Sequence, residues 1–248
     1  MTTEPTYRKT AILVASLWVI LAVASIAGNA LMNPVITAPD YLSTVFPKSA
    51  TVVSGALLWL VNNIGVVFIG VLMFPILKKR NESMALGYVG MRILECVFMT
   101  VGVFFAMLFI PLSQAFIKSG ATNAATYQAV GSMLKQAETW LLLGPGQLLP
   151  LGLGGVILTS ILYQTKLVPR FISVVGIVGY SLLLPAAILA LFGVLDPTVG
   201  GSASIYAVPV AVFEIILMPV WLFAKGFNTA AISAEQEPCS EKMELQPC

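Results

Sequence analysis

Histidine is absent from all 248 residues of this chain. Haem ligation, Ser-His nucleophilic catalysis and most zinc sites depend on imidazole, so rhomboid-like proteolysis and b-type cytochrome function lose their basis. Cysteine is nearly absent too: Cys96 lies in an apolar run, Cys239 and Cys248 in a polar tail, and their spacing forms neither a metal site nor a disulfide framework. No metal and no cofactor is expected. Charge is equally scarce, at 10% of residues with a net charge of +2. No basic block is long enough to track a phosphate backbone, which dismisses nucleic acid as a partner.

Hydrophobic residues make up 58% of the chain and mean hydropathy is +0.93. Such a composition cannot cover a water-facing surface with charge, so the lipid bilayer is the expected solvent. A hydrocarbon core roughly 30 Å thick takes about 20 apolar residues per helix, which leaves room for about six spans. The fold class expected is therefore all-α, a polytopic transmembrane helix bundle over residues 1–227.

The predicted spans cover about 11–31, 51–77, 84–112, 139–163, 171–195 and 206–224. The first could be mistaken for a signal peptide, since Gly28-Asn29-Ala30 resembles a cleavage site. Its apolar stretch is longer than such segments usually are, which favours a retained helix. Pro34, Pro39 and Pro47 predict a loop from Met32 to Ser49. Between Ser113 and Glu138 the chain is polar, with Ala125, Val130, Met133, Leu134 and Ala137 at helical spacing behind a cap at Thr122 or Asn123. That segment reads as an interfacial helix or an early extension of span four. Gly144, Pro145, Gly146 and Pro150 predict a break or kink at the head of span four. Residues 228–248 read as a disordered cytoplasmic tail.

Arg8, Lys9, Lys78, Lys79, Arg80, Lys166, Arg170, Lys225 and Lys242 fall on one side of this arrangement, whereas Lys48, Lys118 and Lys135 fall on the other. Cations are retained on the cytoplasmic side, so both termini are expected in the cytoplasm of a plasma (inner) membrane protein. The pairs Ala24/Gly28 and Gly102/Ala106, and Gly-x-x-Gly at Gly87–Gly90 and Gly176–Gly179, read as close-packing positions. The two Gly-x-x-Gly pairs also leave open a duplicated hairpin.

Charges at membrane depth cost about 2.5 to 3.5 kcal/mol each on insertion scales and need a partner or a hydrated cavity. Arg92 and Glu95, at i and i+3, share a face of span three, and Glu214 lies midway along span six. Asn62 and Asn63 in span two and Gln147 in span four lie at similar depths. These side chains are expected to converge, with Arg92 bridging Glu95 and Glu214. One cation and two carboxylates leave an excess negative charge, suited to a proton or a bound cation, while Arg92 could pair an anionic group. A buried network that only fixes helix register is the competing reading. An intramembrane enzyme would have only Glu95 and Glu214 as acid-base groups, so no catalytic residue is assigned.

Arg92-x-x-Glu95, the run Ile161-Leu162-Tyr163-Gln164-Thr165-Lys166-Leu167-Val168-Pro169-Arg170 leading into Val175-Gly176-x-x-Gly179-Tyr180, and Phe213-Glu214 with Trp221 and Lys225-Gly226-Phe227 together resemble the bacterial membrane family catalogued as domain of unknown function 4386. The resemblance extends from about residue 8 to residue 227. It implies an inner-membrane protein of about six spans and assigns no activity. Two functional expectations stand: a protein that binds or translocates a small ligand or ion at Arg92, Glu95, Glu214, Asn62, Asn63 and Gln147, or a non-catalytic accessory subunit with a protein partner in the membrane. Homo-oligomerisation is compatible with both.

Overall fold

A computed structural model describes residues 5–120 and 123–228. Among them there is helix and no strand. Helix α1 covers Pro5–Ile36, α2 Tyr41–Thr44, α3 Ser49–Leu77, α4 Glu82–Met107, α5 Phe109–Lys118, α6 Ala124–Leu142, α7 Pro145–Thr165 and α8 Arg170–Leu191. The last span is composite: α9 Ser204–Ala211, a π-helix over Val212–Leu217, and α10 Met218–Ala224. Six helical stretches are long and apolar enough to cross a bilayer. Each keeps large apolar side chains on the outside, such as Ile20, Leu57, Leu86, Leu153, Phe171 and Val220. Such a surface is stable only in lipid, and the chain is a multi-pass membrane protein.

Helices pack where small residues let backbones approach. A methyl group on Gly28 would stand 2.9 Å from the Gly55 carbonyl oxygen, so α1 and α3 cross there. Gly102 meets the Leu142 backbone of α6, and Gly179 meets Pro209 and Val210 of α9. The two Gly-x-x-Gly pairs are not used alike, since Gly90 faces open space whereas Gly176 and Gly179 are both contact points.

One end of the bundle collects the cations. The Arg8 guanidinium donates to the Phe223 carbonyl (2.7 Å), Lys79 pairs with Tyr7, and Arg80 Nε donates to Gln164 Oε1 (3.3 Å). The start of α1, the α3–α4 turn, the end of α7 and the end of α10 therefore share this basic face. Asn81 accepts from the Met84 N–H and caps α4. Lys166, in the left-handed conformation, ends α7, and the Asn228 N–H bonds to the Leu167 carbonyl, so the chain closes back onto that turn.

The opposite face departs from the sequence expectation in two ways. Met32–Ile36 belong to α1, not to the loop that the prolines suggested: Pro34 sits in the last turn, where it removes a single helical donor, and Thr37 bonds the Asn33 carbonyl through both N–H and hydroxyl. The polar segment also forms two helices, α5 and α6, rather than one. The stretches Glu82–Lys118 and Ala124–Thr165, each interrupted between its two helices, have 37 and 42 residues, well beyond the about 20 that a hydrocarbon core of roughly 30 Å needs. They project past the membrane and pack with α2: Ser113 Oγ donates to the Leu42 carbonyl, and Tyr41 meets Phe109 edge to face. A second apolar cluster runs from Trp59 and Met99 within the spans to Ile36, Val45 and Phe109, and ties this projection to the bundle. Asn123 occupies the N-cap position of α6 without bonding a backbone N–H, so the expected cap does not form there. Thr122 and the tail carrying Cys239 and Cys248 lie outside the described residues.

Candidate functional site

Helix α4 supplies the organising side chains. Tyr88, Arg92, Glu95 and Met99 recur at helical spacing and are all buried. Arg92 Nε donates to the Tyr88 hydroxyl oxygen (3.2 Å), Nη1 to Glu95 Oε2 (2.9 Å) and Nη2 to Glu214 Oε1 (2.8 Å). The Tyr180 hydroxyl donates to the same Glu214 oxygen at 2.7 Å. Arg92 thus bridges both carboxylates, as the shared depth of these residues predicts.

Glu214 reaches Arg92 from the π-helix. Pro209 and Pro219 bracket that turn, each removing a backbone donor, and a wide turn of this kind is common at functional sites. Tyr180 reaches Glu214 because Gly155 on α7 has no side chain: a methyl group there would overlap the Tyr180 ring. Phe213 meets Tyr180 edge to face at 5.6 Å and Trp18 at 6.4 Å, which ties α8 and α1 together beside the site.

A cavity of about 210 Å³ lies beside the ion pairs and is lined by Trp18, Asn62, Arg92, Glu95, Gln147 and Glu214, among others. Glu95 Oε1 and Glu214 Oε2 accept no hydrogen bond from the described residues, so the excess carboxylate capacity borders this chamber. A second cavity, of about 470 Å³, shares Ser25, Trp59, Gln147, Leu151 and Ala207 with the first. It continues past Asn29 to the α8–α9 loop at Pro197–Gly200. Together they form a funnel from the face opposite the basic one down to the charged cluster.

Five of the six residues singled out from the sequence meet at this chamber, and Asn63 does not. Its fully buried amide turns to the α3–α4 interface instead. The orientation that satisfies both ends donates to the Trp59 carbonyl (2.9 Å) and accepts from the Thr100 N–H (3.2 Å). Asn62 lines the chamber, with a single bond of 3.5 Å to Asn63 in the alternative orientation of that amide. Gln147, in the first turn of α7, is half-buried and lines both cavities. Tyr88, Tyr180 and Trp18 were not among the residues singled out. Tyr88 was accessible to reasoning, because it stands four residues before Arg92 on the same face. Tyr180 and Trp18 come from other helices, and no local spacing places them here.

Residues 13–226 match the family described as Domain of unknown function (DUF4386). The chain belongs to that family. The match includes every residue of the chamber and stops just short of Phe227. No curated protein and no solved structure matches this member of the family.

Proposed function

We propose that this protein binds, and in doing so can translocate, a small ligand or ion at the chamber formed by Arg92, Glu95, Glu214, Asn62 and Gln147. The observation that carries the reading is the cavity itself: two carboxylate oxygens without protein donors border a space at membrane depth. A network that served only to fix helix register would be expected to close on itself, because unpaired polar atoms in hydrocarbon are costly. The excess negative charge favours a proton or a cation over an anion.

The test is to purify the protein in native lipid particles and identify co-purifying small molecules by mass spectrometry, comparing wild type with Glu214→Gln and Arg92→Gln. A species present in wild type and lost from both variants supports the site. A stoichiometric protein partner retained in all three, with no such species, would instead establish the accessory-subunit reading.

We further propose that the basic face is cytoplasmic, because its cations are the ones retained on that side during insertion. The chain then resides in the plasma membrane with its funnel opening outward. In a variant without native cysteines, a single Cys at Lys78 should be blocked only by membrane-permeant thiol reagents in intact cells, and one at Gly200 by impermeant reagents as well. The reverse pattern would invert the orientation.

A further inference from the structure

We infer that the ligand is an organic monocation, an ammonium group carried on an apolar body, which enters from the face opposite the basic one. The inference rests on the ligand-site reading above and adds the chemical class and the route.

The two halves of the funnel differ in character. At its base, Glu95 and Glu214 each spend one oxygen on Arg92 and leave the other without a protein donor, and Glu95 is almost completely buried. Asn62 and Gln147 add side-chain oxygens at the same level. The free carboxylate oxygens and the amide oxygens, carried by α3, α4, α7 and the π-helix, can accept from an ammonium group, which has three N–H bonds when primary. Arg92 is outnumbered there: its single positive charge is already paired with both Glu95 and Glu214, so the cluster keeps an excess carboxylate rather than a free cation for an anion. Trp18 and Trp59 also line the chamber, their indoles offering apolar surface to the body of the ligand and a buried N–H without a protein partner to any acceptor on it.

The upper part is wide and mostly apolar, with Ile26, Ala30, Leu148, Leu151 and Val199 in its walls. Its volume of about 470 Å³ falls within the range of pockets for drug-sized molecules, roughly 300 to 1,000 Å³. A bare inorganic cation would have no use for such walls. The lower chamber is the smaller of the two, about 210 Å³, and holds the charged groups.

Phenethylamine, its neutral isostere phenethyl alcohol, its anionic isostere phenylpropionate, and ammonium chloride are titrated against the protein in lipid nanodiscs by calorimetry, with empty nanodiscs subtracted. Phenethylamine is expected to bind saturably, at least tenfold tighter than each of the other three. Glu214→Gln should weaken it at least tenfold. Ser204→Trp, an exposed position at the mouth of the funnel, should weaken phenethylamine and leave ammonium unaffected. Equal binding of amine and alcohol, or tighter binding of phenylpropionate, overturns the inference. Binding of ammonium as tight as that of phenethylamine and dependent on Glu214 also overturns it, while the broader ligand-site reading survives. Binding of none of the four, alongside a co-purifying species lost in Glu214→Gln, likewise sinks the amine and spares the site.

Discussion

Removing the Arg92 guanidinium while both carboxylates remain would leave two neighbouring like charges, Glu95 buried and Glu214 half-buried, without a counter-ion. Arg92→Met is therefore expected to cost about 3 to 5 kcal/mol, read as a fall in the thermal midpoint of the protein in nanodiscs. Replacing the three together, Arg92→Met with Glu95→Leu and Glu214→Leu, should return the midpoint to the wild-type value or above it, because an apolar core of similar volume needs no counter-ion. Additive losses in the triple variant would contradict this account of the cluster. Tyr180 is a smaller case: Tyr180→Phe deletes one hydrogen bond to a charged acceptor, worth about 1.5 to 3 kcal/mol. Gly155→Ala acts through the same contact, since the new methyl group must displace the Tyr180 ring, at a cost of about 1 to 3 kcal/mol. Gly90→Ala, which meets nothing within 4 Å, is the matched control and should be neutral or slightly stabilising.

At the scale of elements, the π-helix decides where Glu214 points. Deleting Ile216 should convert Val212–Leu217 to ordinary helix and turn Glu214 by about 100° relative to α10. The expected result is unchanged helicity by circular dichroism with loss of any Glu214-dependent ligand; retained binding would remove the π-helix from the argument. The α8–α9 loop offers a pH test outside the membrane. The Thr198 N–H and hydroxyl both donate to the Asp196 carboxylate, which holds its pKa below the usual carboxylate value, the backbone bond being the larger cause. A carboxylate with a depressed folded pKa stabilises above its unfolded pKa and loses that contribution as pH falls through the folded value. The protection factor of the Thr198 N–H, its exchange rate relative to the intrinsic rate at the same pH, should therefore fall on acidification below the ordinary carboxylate range. In Thr198→Val, which lacks the hydroxyl bond, that change should begin at higher pH. Because Asp196 is exposed, global stability should hardly change.

For the whole molecule, two apolar clusters divide the labour. The larger, from Ala11 and Val14 through Leu158 to Phe227, holds most of the membrane bundle, and the smaller, from Met32 and Trp59 through Met99 to Phe109 and Leu142, joins α1, α3 and α4 to the projection built on α2, α5 and α6. The projection meets the bundle along α4, where Gly102 lies under Leu142. Gly102→Leu should therefore loosen α6 from α4 while the chamber persists. Protease sensitivity confined to the segment near residues 119–124, with the Arg92-dependent thermal transition retained, is the expected outcome. Loss of both together would mean that the two clusters unfold as one unit.

Much of this architecture is legible in the sequence for a definite physical reason. Apolar runs of about twenty residues must be helices in lipid, where every backbone group needs an internal partner. Charges at membrane depth must find one another, which is why their shared depth alone predicts that Arg92 pairs with Glu95 and Glu214. Breaks also announce themselves, and the interruption between α6 and α7 falls at Gly144. In the projection, α6 is legible in the helical spacing of Ala125 to Ala137, but α5 reads as the end of span three, and only its packing against α2 and α6 sets it apart. Asn63 illustrates the same limit. Its polarity and depth match those of Asn62, but a step of one residue turns a helical side chain by about 100°, and only the tertiary packing decides which of the two faces the chamber. Tyr180 and Gly155, from different helices, meet for no reason that local pattern contains. Composition and periodicity determined that the chain spans the membrane and which charges must pair; the three-dimensional packing alone decided that they border an open funnel, because a cavity is a property of the surfaces that fail to meet.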